Sequence, residues 1–316
     1  MIDAASREFV EALAEVLAVG EITEVVRLSG GASRDTFRFV ADARPLILQR
    51  QRSGDVRDMG IEAQVVRAVG LAGAPVAKLV ASSSDPSALG SAFMVLTAVE
   101  GETIARKILR DEKFARARDV LPAQLGAALA QVHAVATEEL TALPMLDQVT
   151  QYRDVLDQLA QPHPTFELVF RWLEANRPAQ RTPVLVHGDF RLGNVIVGEE
   201  GLRAVLDWEL AHLGDPMEDL GWLCVKAWRF GSPLPVAGVG TYDQLFASYE
   251  AAGGGAVDPD VVRWWEVLGT LKWGIMCIGQ ANTHLSGAAR SHELAAIGRR
   301  VCENEYDLFL ALEGRW

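Results

Sequence analysis

Asp189 and Asn194 stand five residues apart in the run His187-Gly188-Asp189-Phe190-Arg191-Leu192-Gly193-Asn194. A second aspartate follows after two short apolar runs, in Leu206-Asp207-Trp208-Glu209. An Asp, an Asn five residues on and another Asp at the end of a following strand is the arrangement that phosphoryl transfer to a hydroxyl requires. Asp189 would orient the acceptor hydroxyl and take its proton. Asn194 and Asp207 would offer hard oxygen ligands to magnesium bridging the ATP phosphates. Little covalent chemistry is asked of the protein, so positioning and charge neutralisation carry the rate. Taken singly, a Gly-Asp is a turn and a strand-end Asp is a cap. Their order, spacing and flanking apolar runs point to a common site.

The elements around this site divide the chain in two. Phe9, Val10, Leu13, Val16 and Leu17 recur at helical spacing and predict an opening helix that Gly20 ends. Val25 to Leu28, Thr36 to Val40 and Leu46 to Leu48 then read as an antiparallel meander. Ile61 to Val69 resumes helical spacing, and Pro75 to Val80 and Phe93 to Leu96 predict further strands. From Gly101 the chain reads as mostly helical, interrupted by three short apolar runs, Val184 to Val186, Val195 to Val197 and Ala204 to Leu206, beside a cleft. The expectation is an α+β chain with a small antiparallel-sheet lobe over residues 1–100 and a larger helical lobe over 101–316.

Composition narrows the partners. The 316 residues carry 30 Lys plus Arg against 42 Asp plus Glu, a formal net charge of −12, which opposes nonspecific attraction to phosphate backbones. With 49% hydrophobic and 23% charged residues the chain folds around a core of its own. Cys224, Cys277 and Cys302 are odd in number and form no Cys-x-x-Cys pair, so they read as packing residues in a reducing compartment. No secretory leader and no membrane span is read, and the expected location is the cytoplasm.

Val184 to Leu223 contains Val-His-Gly-Asp-Phe-Arg-Leu-Gly-Asn, Leu-Asp-Trp-Glu and Gly214-Asp215-Pro216-Met217-Glu218-Asp219-Leu220. In these motifs the chain resembles the aminoglycoside phosphotransferase and choline kinase-like group, distant relatives of protein kinases. It is most similar to the branch also found fused to acyl-CoA dehydrogenases. The resemblance implies a bilobal protein-kinase-like fold with ATP and magnesium between the lobes. It assigns Asp189 as catalytic base, Asn194 and Asp207 as metal ligands, and His187 and Asp219 as braces of the catalytic loop.

Other assignments rest on the resemblance alone. Gly30, Gly31 and Ser33 match the phosphate-covering loop, and Glu62 matches the glutamate that pairs with a strand cation. Thr97 and Val99 match the backbone groups that meet adenine at the hinge. The usual strand lysine is missing, since Leu46-Ile47-Leu48 is followed by Gln49-Arg50-Gln51-Arg52. One residue of slip reverses a strand side chain, so Gln49 and Arg50 are exclusive choices, and Arg50 is preferred. Glu209 and His212 are candidates to line the metal or acceptor side, with a solvated turn as the alternative.

The acceptor should be a small molecule bearing a hydroxyl. Lys226, Arg229, Lys272, Arg290, Arg299 and Arg300 form a basic set in the second lobe. They and the branch resemblance favour an anionic, hydroxyacyl-CoA-like metabolite, whereas the overall acidity would suit an aminoglycoside-like compound. A weakly catalytic, kinase-shaped binding protein and a two-metal phosphate-ester hydrolase are the competing readings. The sequence leaves the oligomeric state open.

Overall fold

A computed structural model describes residues 6–28, 34–52 and 58–315 of the chain. Helix α1 (Arg7–Leu17) starts where the Ser6 side chain accepts from the Phe9 amide. It ends at Ala18 in the left-handed region, φ 50°, two residues before the expected Gly20. Strands β1 (Ile22–Leu28), β2 (Arg34–Ala41) and β3 (Arg44–Gln51) follow as an antiparallel meander. Then come α2 (Met59–Leu71), β4 (Leu79–Ser83) and β5 (Phe93–Thr97). The five strands lie in the order β1-β2-β3-β5-β4.

Alternation along β2 and β3 gives this sheet two faces. Phe37, Phe39, Ala41, Leu46 and Leu48 pack with Phe9 and Leu13 of α1. The other face carries Ile47 towards the main core, which includes Val65, Val66 and Val69 of α2. The strand expected from Pro75 begins only at Leu79. The preceding residues are engaged elsewhere: the Pro75 carbonyl accepts from Val205 at 2.7 Å, and Val76 pairs with Val205.

The second lobe opens with α3 (Ala105–Arg110), α4 (Ala115–His133), α5 (Gln148–Leu159) and α6 (Pro164–Ala175). Four short strands follow: β6 (Val184–Val186), β7 (Val195–Gly198), β8 (Gly201–Val205) and β9 (His212–Gly214). β6 pairs with β9 and β7 with β8. The sequence reading lacks β9, because His212-Leu213-Gly214 has too little apolar alternation to stand out. The chain closes with α7 (Met217–Cys224), α8 (Tyr242–Ala251), α9 (Pro259–Leu285), α10 (His292–Ile297) and α11 (Arg300–Leu312).

The β7–β8 hairpin ties the two lobes together. Besides the Val76–Val205 bridge, Val197 exchanges backbone hydrogen bonds with Glu102 at 2.9 and 3.0 Å. Gly101 permits this approach: at φ 155° an added Cβ would lie 2.4 Å from Ile196 Cγ2 and 2.8 Å from the Val197 carbonyl oxygen. Cys224 and Cys277 are buried as expected, but Cys302 is exposed, its thiol facing the Arg299 carbonyl at 3.1 Å. No helix among the described residues is long and apolar enough to cross a membrane.

Candidate active site

Residues 187–194 leave the end of β6 as a loop whose backbone is held from beneath. The Asp219 carboxylate, fully buried on α7, accepts from the amides of His187 at 2.7 Å and Gly188 at 3.0 Å. His133 Nε2 lies 3.2 Å from the same carboxylate, and His133 Nδ1 lies 2.8 Å from the Tyr249 hydroxyl. Burial alone would raise the Asp219 pKa, but the hydrogen bond and charge of His133 and the loop amides hold it below the ordinary value. Gly188 has φ 79°, and an added Cβ would sit 2.5 Å from the Leu210 carbonyl oxygen.

His187 is fully buried, which lowers its pKa and keeps the ring neutral. Its partners define the tautomer. Nε2 lies 2.9 Å from the Leu206 carbonyl and therefore carries the proton, while Nδ1 accepts from the Asp189 amide at 3.2 Å. The ring packs against Trp208, centroids 4.5 Å apart. His187 thus links the loop to the strand end that precedes Asp207.

Asp189 is oriented by three donors. Its Oδ1 accepts from Arg191 Nε at 3.0 Å and Trp222 Nε1 at 2.8 Å, and its Oδ2 accepts from Asn194 Nδ2 at 2.6 Å. The Asn194 amide also reaches the Asp189 carbonyl at 2.9 Å, which directs its nitrogen towards Asp189 and leaves its Oδ1 as the atom that could hold a metal. Arg191 lies over the Trp228 ring at 4.9 Å, so its guanidinium is braced as well.

The hairpin brings Asn194 and Asp207 to one place. Val195 pairs with Val205, and the Leu206 amide donates to the Asn194 carbonyl at 2.8 Å, so Asp207 follows directly at the open end. Asp207 adopts φ 66°, a conformation that Asp tolerates better than most residues but that is still uncommon. Burial, then the charges of Glu209, Asp189 and Glu62, push its pKa up to about 7. Two hard oxygen donors at one place could hold magnesium, which keeps waters and is commonly bound by only one or two protein oxygens. Among the described residues no group of three or more His, Cys, Asp or Glu could hold a metal ion.

Across the cleft, Glu62 is buried on α2, and its partner is Arg34 of β2. Arg34 Nη2 contacts Glu62 Oε2 and lies 3.8 Å from Glu209 Oε2, while Nη1 lies 3.5 Å from Gln49 Oε1. Burial would lower the Arg34 pKa, but Glu62, Glu209 and Asp207 raise it. The preference for Arg50 is therefore corrected. Arg50 lies on the opposite sheet face, with Nη1 donating to the Leu89 carbonyl at 3.0 Å and its guanidinium 5.0 Å from the Phe9 ring and 5.6 Å from the Phe37 ring. Gln49 takes the cleft face. Gly30, Gly31 and Ser33 lie outside the described residues. Thr97 ends β5, and Val99 begins the crossing to the helical lobe.

The basic set of the second lobe divides, with Lys226, Arg229 and Arg300 around one cavity and Lys272 apart from them. Lys272 is buried against the 187–194 loop, with Nζ 3.1 Å from the Gly188 carbonyl, 4.0 Å from Glu218 and 4.6 Å from the Trp222 ring centroid. Arg229 pairs with buried Glu266 at 2.6 Å and Lys226 with Asp307 at 2.5 Å. His212 does not line the cleft; it is buried 3.0 Å from Glu218. A cavity of about 420 Å³ is lined by Arg106, Arg110, Lys226, Arg229, Trp273 and Arg300 among others. Packed indoles link it to the loop: Trp222 against Trp228 at 5.2 Å and Trp228 against Trp273 at 4.8 Å. Sequence reasoning missed Arg34, Trp222 and the α3 arginines, none of which carries a local signature.

Comparison with known proteins gives the chain a family and a fold. The sequence model of the phosphotransferase enzyme family matches residues 24–265. Acyl-CoA dehydrogenase family member 10 of Mus musculus is 26% identical over 255 residues, covering 72% of this chain and 23% of that protein. The chain thus spans about a quarter of that relative's length. An assigned aminoglycoside phosphotransferase from Ralstonia eutropha superposes with a TM-score of 0.77 at 22% identity, covering 96% of this chain and 98% of that one. A spectinomycin phosphotransferase solved with ADP and spectinomycin superposes with a TM-score of 0.67 at 13% identity, over 96% and 98% of the two chains.

Proposed function

The chain belongs to the phosphotransferase enzyme family, and from that premise we propose that it transfers the γ-phosphoryl group of ATP to a hydroxyl of a small anionic molecule. The observation that carries the reading is the Asp189 carboxylate, fixed by Arg191, Asn194 and Trp222 beside the oxygen donors Asn194 and Asp207. Asp189 orients the acceptor hydroxyl and receives its proton as the bond to phosphorus forms. Asn194 Oδ1 and the Asp207 carboxylate would hold magnesium, which supplies charge neutralisation at the phosphates. Thr97 and Val99 are proposed to meet the adenine edge through backbone groups.

The acceptor preference follows from charge. Arg106, Arg110, Lys226, Arg229 and Arg300 line the 420 Å³ cavity behind the indoles and outnumber its carboxylates, Glu303 and Asp307, and such a net positive surface disfavours a polycationic aminoglycoside. It supports an acceptor with a carboxylate or phosphate, such as a hydroxyacyl-CoA-like metabolite.

The test is transfer of label from γ-labelled ATP to a panel of hydroxylated anions, with aminoglycosides as comparators. The reading expects labelled product from the anionic class and its loss in Asp189→Ala, with nucleotide binding retained. Nucleotide and acceptor binding without transfer, unchanged by Asp189→Ala, would instead support the weakly catalytic, kinase-shaped alternative.

A further inference from the structure

We propose that Arg34 on β2 is the cation that holds the ATP phosphates in this chain, in place of a β3 residue. The inference rests on the phosphotransferase reading and adds to it the residue that grips the nucleotide.

Three observations carry it. First, the β2–β3 register pairs Thr36 with Gln49 and Arg34 with Gln51, so Arg34 and Gln49 share a sheet face two residues apart along the strands. The position on β3 that faces the cleft therefore holds a neutral amide, and its neighbour Arg50 is committed to Phe9, Phe37 and the Leu89 carbonyl on the far face. Second, Arg34 is buried, and the groups around its guanidinium are cleft residues from three other elements: Glu62 of α2, Glu209 beyond β8 and Gln49 of β3. Asp207, the proposed metal ligand, is close enough to act on its charge. Third, Arg34 Nε is buried with no hydrogen-bond partner among the described residues.

These placements suit a phosphate clamp. An arginine presents donors in a fixed planar fork that matches two phosphate oxygens. Glu62 and Gln49 hold Nη2 and Nη1 and so fix the fork's plane, while Nε remains an unspent donor. A lysine on β3 would reach the same space as a point charge. Gln49 instead steadies the arginine that comes from the adjacent strand.

Calorimetric titration of the full chain with ATP and with adenosine tests the assignment. Arg34→Gln is expected to weaken ATP binding at least tenfold and leave adenosine binding unchanged, because adenosine carries no phosphate. Arg34→Lys should fall between the two, and the double variant Arg34→Gln with Gln49→Lys should recover most of the lost ATP affinity. If Arg34→Gln binds ATP like the parent chain, or weakens ATP and adenosine equally, the assignment is overturned. If Arg34→Gln does not fold, as judged by thermal melting, Arg34→Lys and Gln49→Lys decide: an unchanged ATP affinity in both contradicts the proposal. Failure of the parent chain to bind ATP at all would overturn the phosphotransferase reading itself, an outcome distinct from either result with the variants.

Discussion

The indole nitrogen of Trp222 donates to Oδ1 of Asp189 at 2.8 Å, so a residue on α7 aims a carboxylate on the loop after β6. Trp222→Phe keeps most of the apolar wall against Trp228 and removes only that donor. A hydrogen bond to a charged group contributes roughly 1.5–3 kcal/mol, which corresponds to a fall in kcat of about ten- to a hundredfold. Steady-state kinetics and ATP titration should show this fall with ATP affinity unchanged. An altered ATP affinity at constant kcat would place Trp222 in nucleotide binding instead.

Asp219 supports the loop from beneath, and its replacement should be felt in stability as well as rate. In Asp219→Asn the amides of His187 and Gly188 lose a charged acceptor, and His133 Nε2 loses its carboxylate partner. Urea unfolding is expected to show a loss of about 3 kcal/mol with little change in the slope against denaturant. A midpoint equal to that of the parent chain would remove Asp219 from its bracing role.

Gly188→Ala separates loop geometry from loop chemistry. The substitution leaves every polar group in place, yet its Cβ would meet the Leu210 carbonyl oxygen at 2.5 Å in a backbone conformation with φ 79°. Displacing Asp189 by about 1 Å costs on the order of a hundredfold in rate. Product assays should therefore show near-complete loss of transfer while the chain still melts cooperatively.

His212 gives the second lobe a pH dependence. Burial opposes its protonation, but Glu218 outweighs burial and raises the pKa, as expected for a ring with Nδ1 donating to the Leu210 carbonyl at 2.9 Å and Nε2 facing a carboxylate at 3.0 Å. Lys272 and Gln148 also face the Glu218 carboxylate. Because the folded pKa is raised, the stabilisation is fully present below the ordinary imidazole value of about 6.5 and is lost as pH rises through the folded value. Thermal melts of the parent chain should lose midpoint across that window, and His212→Gln should flatten this part of the profile. Parallel profiles for the two proteins would contradict the ion pair.

The loop that carries Asp189 and Asn194 and the strand end that carries Asp207 were legible in the sequence because their spacing is imposed by a short loop and one hairpin. Asp189, Asn194 and Asp207 are neighbours once β7 and β8 pair, and that pairing follows from two apolar runs around a glycine-containing turn. The cation partner of Glu62 was not legible. Arg50 and Gln49 differ by one residue, and the face each takes is decided by α1, whose Phe9 receives the Arg50 guanidinium. Arg34 lies 28 residues from Glu62 in sequence, and only the β2–β3 register brings it to the cleft. Lys272 illustrates the same limit: its charge suggested an acceptor contact, but its position on α9 buries it under the Gly188 carbonyl. Strand starts shifted where backbone groups had other partners, as at Pro75.

On the proposed function, the cleft between the sheet and the β7–β8 hairpin binds a magnesium nucleotide. Calorimetric titration of the purified chain with ATP, with and without magnesium, tests it before any acceptor is chosen. Saturable binding that strengthens with magnesium, and loses that dependence in Asp207→Asn, is the predicted result. No heat of binding at millimolar ATP under either condition would contradict the account.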